Sequence, residues 1–422
     1  MDGNMLKPGK IPKIEPLIRV GLILPQDEIE SIQVSFSDPQ CFELETEKKL
    51  YPSCNNQDEL TIQFRKGQLH ISQLDVTSPT ISIIPSIPDK NPYITLFGMI
   101  AGRGFHWQKQ INASFWGKIE FSVIDGKIIA INELPLEQYL KCVATSEMSA
   151  QCPSELLKAQ TIVARSWLLA NMEQKHRHLG FDICNDDCCQ RYQGMANTTD
   201  TSINSANDTF GQVLIFNDQI CDARYSKSCG GITEKYENVW EGDPVPYLCS
   251  IPDVNESGTA YCSPQIVSED SLKSYIGNVD EKGKYFHWTY ELSQSELMSS
   301  LKKKCELIAV DILELRPLKT GDSGRIIDLE IEYLDEFDKP QSIVIKSEYQ
   351  IRDVLSPSFL YSSAFTIEKE NDDSFQLSGR GWGHGVGMCQ IGALGMAFSN
   401  HDHAFILRHY YLGSELKTIY QS

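Results

Sequence analysis

The stretch PLEQYLKCVATSEMSAQCPSELLKAQTIVARSWLLANME, residues 135–173, decides how the rest of the chain is read. Its spacing predicts two helices with a break between them. Leu136, Tyr139, Leu140 and Val143 recur at helical intervals, and the first helix ends near Glu147-Met148. Ser149 to Cys152 form a connector. Pro153 suits a first helical position, where its missing N–H leaves no bond unmade. Leu156, Ala159, Val163 and Trp167 form the apolar stripe of the second helix. Lys158 and Arg165 are seven residues apart on it, so both point one way. A carboxylate at a helix break thus precedes a helix with two cations on one face. Taken alone, the window also fits an amphipathic helix with a solvated basic side.

The 422 residues give ample material for a large core and for two or three domains. An apolar content of 41% with 23% charged residues describes an ordinary globular protein. The net charge of −19 repels polyanions, which argues against nucleic-acid binding and against adsorption to anionic lipid. No apolar run is long enough to span a membrane. The segment from Met1 to Pro25 has an apolar run only from Val20 to Leu24 and is broken by prolines, so it makes neither a convincing signal peptide nor an anchor. Thirteen cysteines are spread along the chain instead of framing a small domain, so most are expected free, buried or metal-bound.

Residues 1–17 are expected to be a flexible lead-in. Residues 18–115 read as a β-rich region of short alternating runs, with a hairpin at Lys66-Gly67. A second hairpin turns at Asp125-Gly126. Cys41 and Cys54 are read as two free thiols. Residues 116–422 form the remaining domain, which includes an acidic α/β segment over 263–363.

With the downstream motifs in view, the chain resembles the SpoIID/LytB family. The residues that carry the likeness are Pro135 to Leu140, Glu147-Met148, Leu157 to Ser166, FDICNDDCCQRYQG (181–194), SCGG (228–231) and GRGWGHGVGMCQIGALGMA (379–397). Several separated motifs in one order are more specific than any one alone. The resemblance implies an α+β fold: a SpoIID-like domain with a substrate groove, preceded by a small β-rich region. Enzymes of the family are lytic transglycosylases that cut peptidoglycan glycan strands stripped of stem peptides. The family's catalytic acid corresponds to Glu147, and its conserved Lys and Arg correspond to Lys158 and Arg165. Other relatives are amidase enhancers, which bind wall and stimulate an N-acetylmuramoyl-L-alanine amidase without cutting. Either activity implies a peptidoglycan partner and an address in the cell envelope, periplasm or exterior.

The chemistry suits the assignment. A lytic transglycosylase needs one carboxyl group, not the pair of a hydrolase. That group protonates the leaving glycosidic oxygen, then takes a proton from the sugar's 6-hydroxyl as this attacks C1 and closes a 1,6-anhydro ring. Such an acid calls for a partly desolvated glutamate. Lys158 and Arg165 are expected a sugar or so away, holding the lactyl carboxylates of the strand.

Residues 176–189, HRHLGFDICNDDCC, gather thiols and imidazoles. His178, Cys184, Cys188 and Cys189 make a candidate structural zinc site. The family carries a comparable His…Cys…His-Cys run, and here Cys188 takes the place of its second His. A metal-free reading, as disulfide or free thiols, stays open beside the zinc. Further on, a hairpin is expected at Asn217-Asp218. Tyr225, Ser228 and Gly230 are read as shaping a sugar subsite, and Ser226 stands where many relatives have His. Ser293 with Glu296 predicts a capping box. The segment 263–363 offers no catalytic constellation. The run Gly379 to Gly387, read as extended, borders the cleft in the family, with His384 and Gln390 facing it.

Overall fold

The computed structural model describes residues 5–421 apart from 53, 55–56, 105–107, 171–172, 278–283 and 372. The three expected hairpins are present. Their turn residues take the left-handed backbone that a two-residue type I′ loop needs: Lys66-Gly67, Asp125-Gly126 and Asn217-Asp218 all have φ between 48° and 85°.

Two sheets enclose the first core. One runs in the order Ile183–Cys184, Leu17–Ile23, Lys127–Pro135, Lys118–Ile124, Ile81–Pro85, Phe42–Thr46, Leu50–Tyr51. The other runs Lys109–Phe115, Ile94–Ala101, Ser31–Phe36, Glu59–Arg65, Gln68–Ile71, Val76–Ser78. Alternating residues such as Ile32, Val34, Leu60 and Ile62 fill the space between them. The first sheet therefore takes strands from both sides of residue 116. Residues 1–4 of the expected lead-in lie outside the described residues, while Leu6 is buried and its N–H donates to Asp182 Oδ1 at 2.8 Å.

The strand Lys127–Pro135 sits between two partners in the first sheet and runs straight into helix α1, Leu136–Glu147. Helix α2 follows as Ser154–Ala170. It lies between two cores. Ala164 and Leu168 face the first, while Leu156, Ala159 and Val163 face a second built with Met388, Ile391 and Leu394. That second core also takes the helices Gln390–Phe398 and His403–Tyr410. A third core, around Leu297, Leu329 and Phe375, belongs to a lobe of two three-stranded sheets and the helices Gln294–Cys305 and Glu348–Val354. The Ser293–Glu296 capping box opens the first of those helices. The protein is thus a mixture of helices and several sheets. No helix among the described residues is long and apolar enough to cross a membrane.

Candidate active site

Glu147 ends α1, where main-chain carbonyls lack helical partners. Lys227 Nζ meets one of them, donating to the Glu147 carbonyl oxygen at 2.7 Å. Glu147 is 8% exposed as a residue, and its Oε1 receives two donors, the Arg191 main-chain N–H at 3.0 Å and the Tyr225 hydroxyl at 2.8 Å. Burial, then the adjacent Glu147 charge, push the Tyr225 phenol well above its usual range, so it stays a donor. Burial and the nearby Arg191 charge lower Lys227 to about 8.

Arg191 is held by its own segment. Its guanidinium donates to Asp187 Oδ1 and Oδ2 at 2.7 and 3.0 Å. The preceding Gln190 ties this segment to both helices: it accepts from Tyr139 of α1 at 3.0 Å and donates to the Ala164 carbonyl of α2 at 3.1 Å.

Glu147 opens onto a cavity of about 1040 Å³ whose wall includes Tyr225, Lys227, Arg191, Trp240, Trp382 and His384. Its aromatic character is marked. Trp382 stacks on Tyr361 at 4.4 Å, and Trp240 lies edge-on to His384 at 4.9 Å and under the Arg224 guanidinium. His384 Nδ1 accepts the Val386 N–H at 3.1 Å. Burial, with Arg224 and Arg325 nearby, lowers its pKa well below the usual value, so the ring is neutral. Gln390 also lines the cavity and donates to Gln160 Oε1 at 3.1 Å.

Of the residues expected here, the structure brings Glu147, Tyr225, His384 and Gln390 together. Lys158 and Arg165 are elsewhere. Arg165 is fully buried, with Nε donating to Glu137 Oε1 at 2.8 Å and Nη1 to the Gln212 carbonyl at 3.0 Å. Lys158 pairs with Glu155 and Asp208, each at 3.2 Å. Both cations do share a face of α2, but that face meets α1 and the helix Asp200–Asp208 instead of the cavity. Ser228 and Gly230 do not line it among the described residues. Ser228 exchanges main-chain hydrogen bonds with Trp382, and a Cβ on Gly230 would sit 3.0 Å from Gly381 N, so both hold two loops together behind the wall.

The glycine run is not extended throughout. The strand Ser374–Arg380 ends, and Gly381, Gly383, Gly385 and Gly387 follow at φ of 74°, 91°, 77° and 71°. A side chain on Gly385 would strike the Arg325 guanidinium and one on Gly387 the Arg224 carbonyl, which is why these places take glycine. This coiling aims Trp382 and His384 at the cavity. Sequence reasoning missed Arg191 and Lys227, although both lie inside or beside recognised motifs. It also missed Glu348, Tyr349, Arg352 and Tyr361, which the acidic segment contributes to the cavity wall.

The rim of the same cavity holds the thiol cluster, with one exchange of ligand. His176, and not His178, joins Cys184, Cys188 and Cys189, their donor atoms all within 4.8 Å of one another. His178 sits in the turn Arg177–Leu179 and is exposed, whereas His176 stacks on Phe181 at 5.2 Å. Three thiols and an imidazole so close fit a zinc ion. The thirteen cysteines, Cys41 and Cys54 included, are unbridged.

A family model described as stage II sporulation protein matches residues 124–216, and one described as a domain of unknown function (DUF8618) matches residues 234–387. An uncharacterised protein of Brachyspira hyodysenteriae is 30% identical over 302 residues, 72% of each chain. An amidase enhancer of Bacillus subtilis is 27% identical over 299 residues, which are 66% of this chain but only 40% of that protein. Stage II sporulation protein D of the same bacterium is 25% identical over 303 residues, 68% of this chain and 76% of its own. Motifs, family model and relatives agree: the chain belongs to the SpoIID/LytB family.

Proposed function

We propose that this protein is a peptidoglycan lytic transglycosylase acting on glycan strands freed of stem peptides, with Glu147 as the single acid–base group. The observation that carries the reading is one nearly buried carboxylate, anchored through Oε1 by Arg191 and Tyr225, on an aromatic cavity large enough for sugars. In this reading Oε2 carries the proton. It protonates the glycosidic oxygen as the C1–O bond breaks. The resulting carboxylate then removes the 6-hydroxyl proton while that oxygen bonds to C1, leaving a 1,6-anhydro-N-acetylmuramic acid end. Trp240, Tyr361 and Trp382 supply stacking faces for sugar rings. Arg191, Arg224, Lys227 and Arg352, not Lys158 and Arg165, face the strand's lactyl carboxylates.

A zinc ion at the rim would be held by His176, Cys184, Cys188 and Cys189. It would supply structure only, since a site filled by four protein ligands activates no water. Held there, it would fix the segment that presents the Arg191 N–H to Glu147.

The test is digestion of amidase-treated peptidoglycan. Products with anhydro ends should appear with the wild type and vanish with Glu147→Gln. The Bacillus subtilis relative named an amidase enhancer keeps a second reading in play, a wall-binding protein that stimulates an amidase. No cleavage by the wild type, with amidase stimulation unchanged by Glu147→Gln, would establish that reading instead.

A further inference from the structure

A second group of ligand-type side chains lies away from the cavity. Cys229, Asp253, Cys262 and Cys389 come from well-separated stretches of chain, yet their donor atoms all lie within 4.8 Å of one another. All four side chains are buried, Asp253 and Cys389 completely. Cys229 Sγ stands 3.8 Å from Cys262 Sγ and 3.1 Å from Asp253 Oδ2. A tetrahedral zinc ion with bonds to sulfur of about 2.3 Å sets its sulfurs about 3.8 Å apart.

The main chain around the cluster suits anionic sulfur. Cys389 Sγ accepts N–H bonds from Cys229 and Gly392, both at 3.2 Å, and Cys229 Sγ accepts one from Gly231 at 3.3 Å. Cys389 also caps the N-terminus of the helix Gln390–Phe398, where the helix dipole favours negative charge. Asp253 is oriented from behind. The Tyr410 hydroxyl donates to Oδ1 at 2.9 Å, which turns Oδ2 toward the thiols. His409 Nε2 stands 3.2 Å from the same Oδ1, so Oδ2 is the oxygen left facing the thiols. One disulfide would use two of the sulfurs and leave one thiol and Oδ2 over.

We propose that Cys229, Cys262, Cys389 and Asp253 form a second, structural zinc site, distinct from the cluster at the cavity rim. Three thiolates select a soft divalent cation over calcium or magnesium. Full burial and four protein ligands leave no open position, so the ion has no catalytic part. Its place in the fold gives its use. The strands Tyr225–Ser226 and Met388–Cys389 pair in parallel, and the whole segment 234–387 is looped out between them. The ion ties both ends of that segment to two of its own residues. It thereby fixes the strand that offers Tyr225 and the helix that begins with Gln390.

The experiment is a zinc count on the full chain grown with zinc, after gel filtration. A Cys184→Ser/Cys188→Ser double variant alters the rim cluster alone and should keep one tightly held zinc per chain. Adding Cys262→Ser on that background should remove it. Asp253→Asn, which keeps the side-chain shape, should surrender its zinc to a chelator at least about tenfold more readily than the wild type. A rim variant without zinc, an Asp253→Asn variant holding zinc like the wild type, or a Cys229–Cys262 disulfide in peptide maps of unreduced protein would each overturn the proposal.

Discussion

Helix α1 carries two carboxylates with opposite fates. Glu137, in its first turn, is locked by the Arg165 guanidinium, the Tyr420 hydroxyl and the Gly211 N–H. Glu147, its last residue, takes the Arg191 main-chain N–H and the Tyr225 hydroxyl on Oε1 and opens onto the cavity. Both are nearly buried. What separates them is the partner: a fixed guanidinium clasps one, while a main-chain N–H and a phenol position the other at the cavity wall. On the proposed reading, the cation that the family motif supplies serves stability and the acid serves chemistry.

The sharpest way to break this comparison is Glu147→Gln. Cleavage of stripped glycan strands should fall by about 10²–10⁴-fold with the thermal midpoint nearly unchanged. Arg165→Ala should do the reverse. It removes the cation from the buried Glu137, a change that costs about 3–5 kcal/mol in urea unfolding. Cleavage per folded molecule should persist. An Arg165→Ala protein of normal stability but without activity would return Arg165 to the substrate. Tyr225→Phe removes one donor from the Glu147 carboxylate. At about 1.5–3 kcal/mol for a hydrogen bond to a charged group, kcat should drop about 10–100-fold while folding holds.

The smallest effect concerns the other expected cation. Burial alone would raise Glu155, but hydrogen bonds from His403 and Lys158 outweigh it and hold it at about 2. A carboxyl lowered from its ordinary 4.5 stabilises the fold above that pH and loses the effect as pH falls toward 2. The stability difference between wild type and Glu155→Gln should therefore be constant above pH 4.5 and shrink below it. A difference that does not change between pH 5 and pH 2 would separate Lys158 and His403 from Glu155.

Local pattern made part of this legible. Turn pairs such as Asp125-Gly126 act over neighbouring residues, so their hairpins could be read directly. Glu147, Tyr225, His384 and Gln390 stand in motifs, and the fold gathers them on one cavity wall. Helical periodicity correctly put Lys158 and Arg165 on one face, but it cannot say what that face meets. Their partners come from α1 and from Asp208, through tertiary packing. The same limit explains His176 and His178, two residues apart, where a single tight turn sends one ring toward Cys188 and the other outward. The wall contributed by Arg352 and Tyr361 was invisible for a related reason: nothing in an acidic stretch announces which core it will lean against.

The bond from Tyr420 to Glu137 joins positions 283 residues apart. The strand Glu415–Thr418 travels with it, adding an edge to Gln212–Phe216 beside α2. Glu137 and Arg165 precede this partner by most of the chain. The carboxylate of Glu137 therefore completes its set of partners only when the far end of the chain docks. Loop closure over such a span is slow, which makes maturation of the site sensitive to how quickly that distant tyrosine arrives.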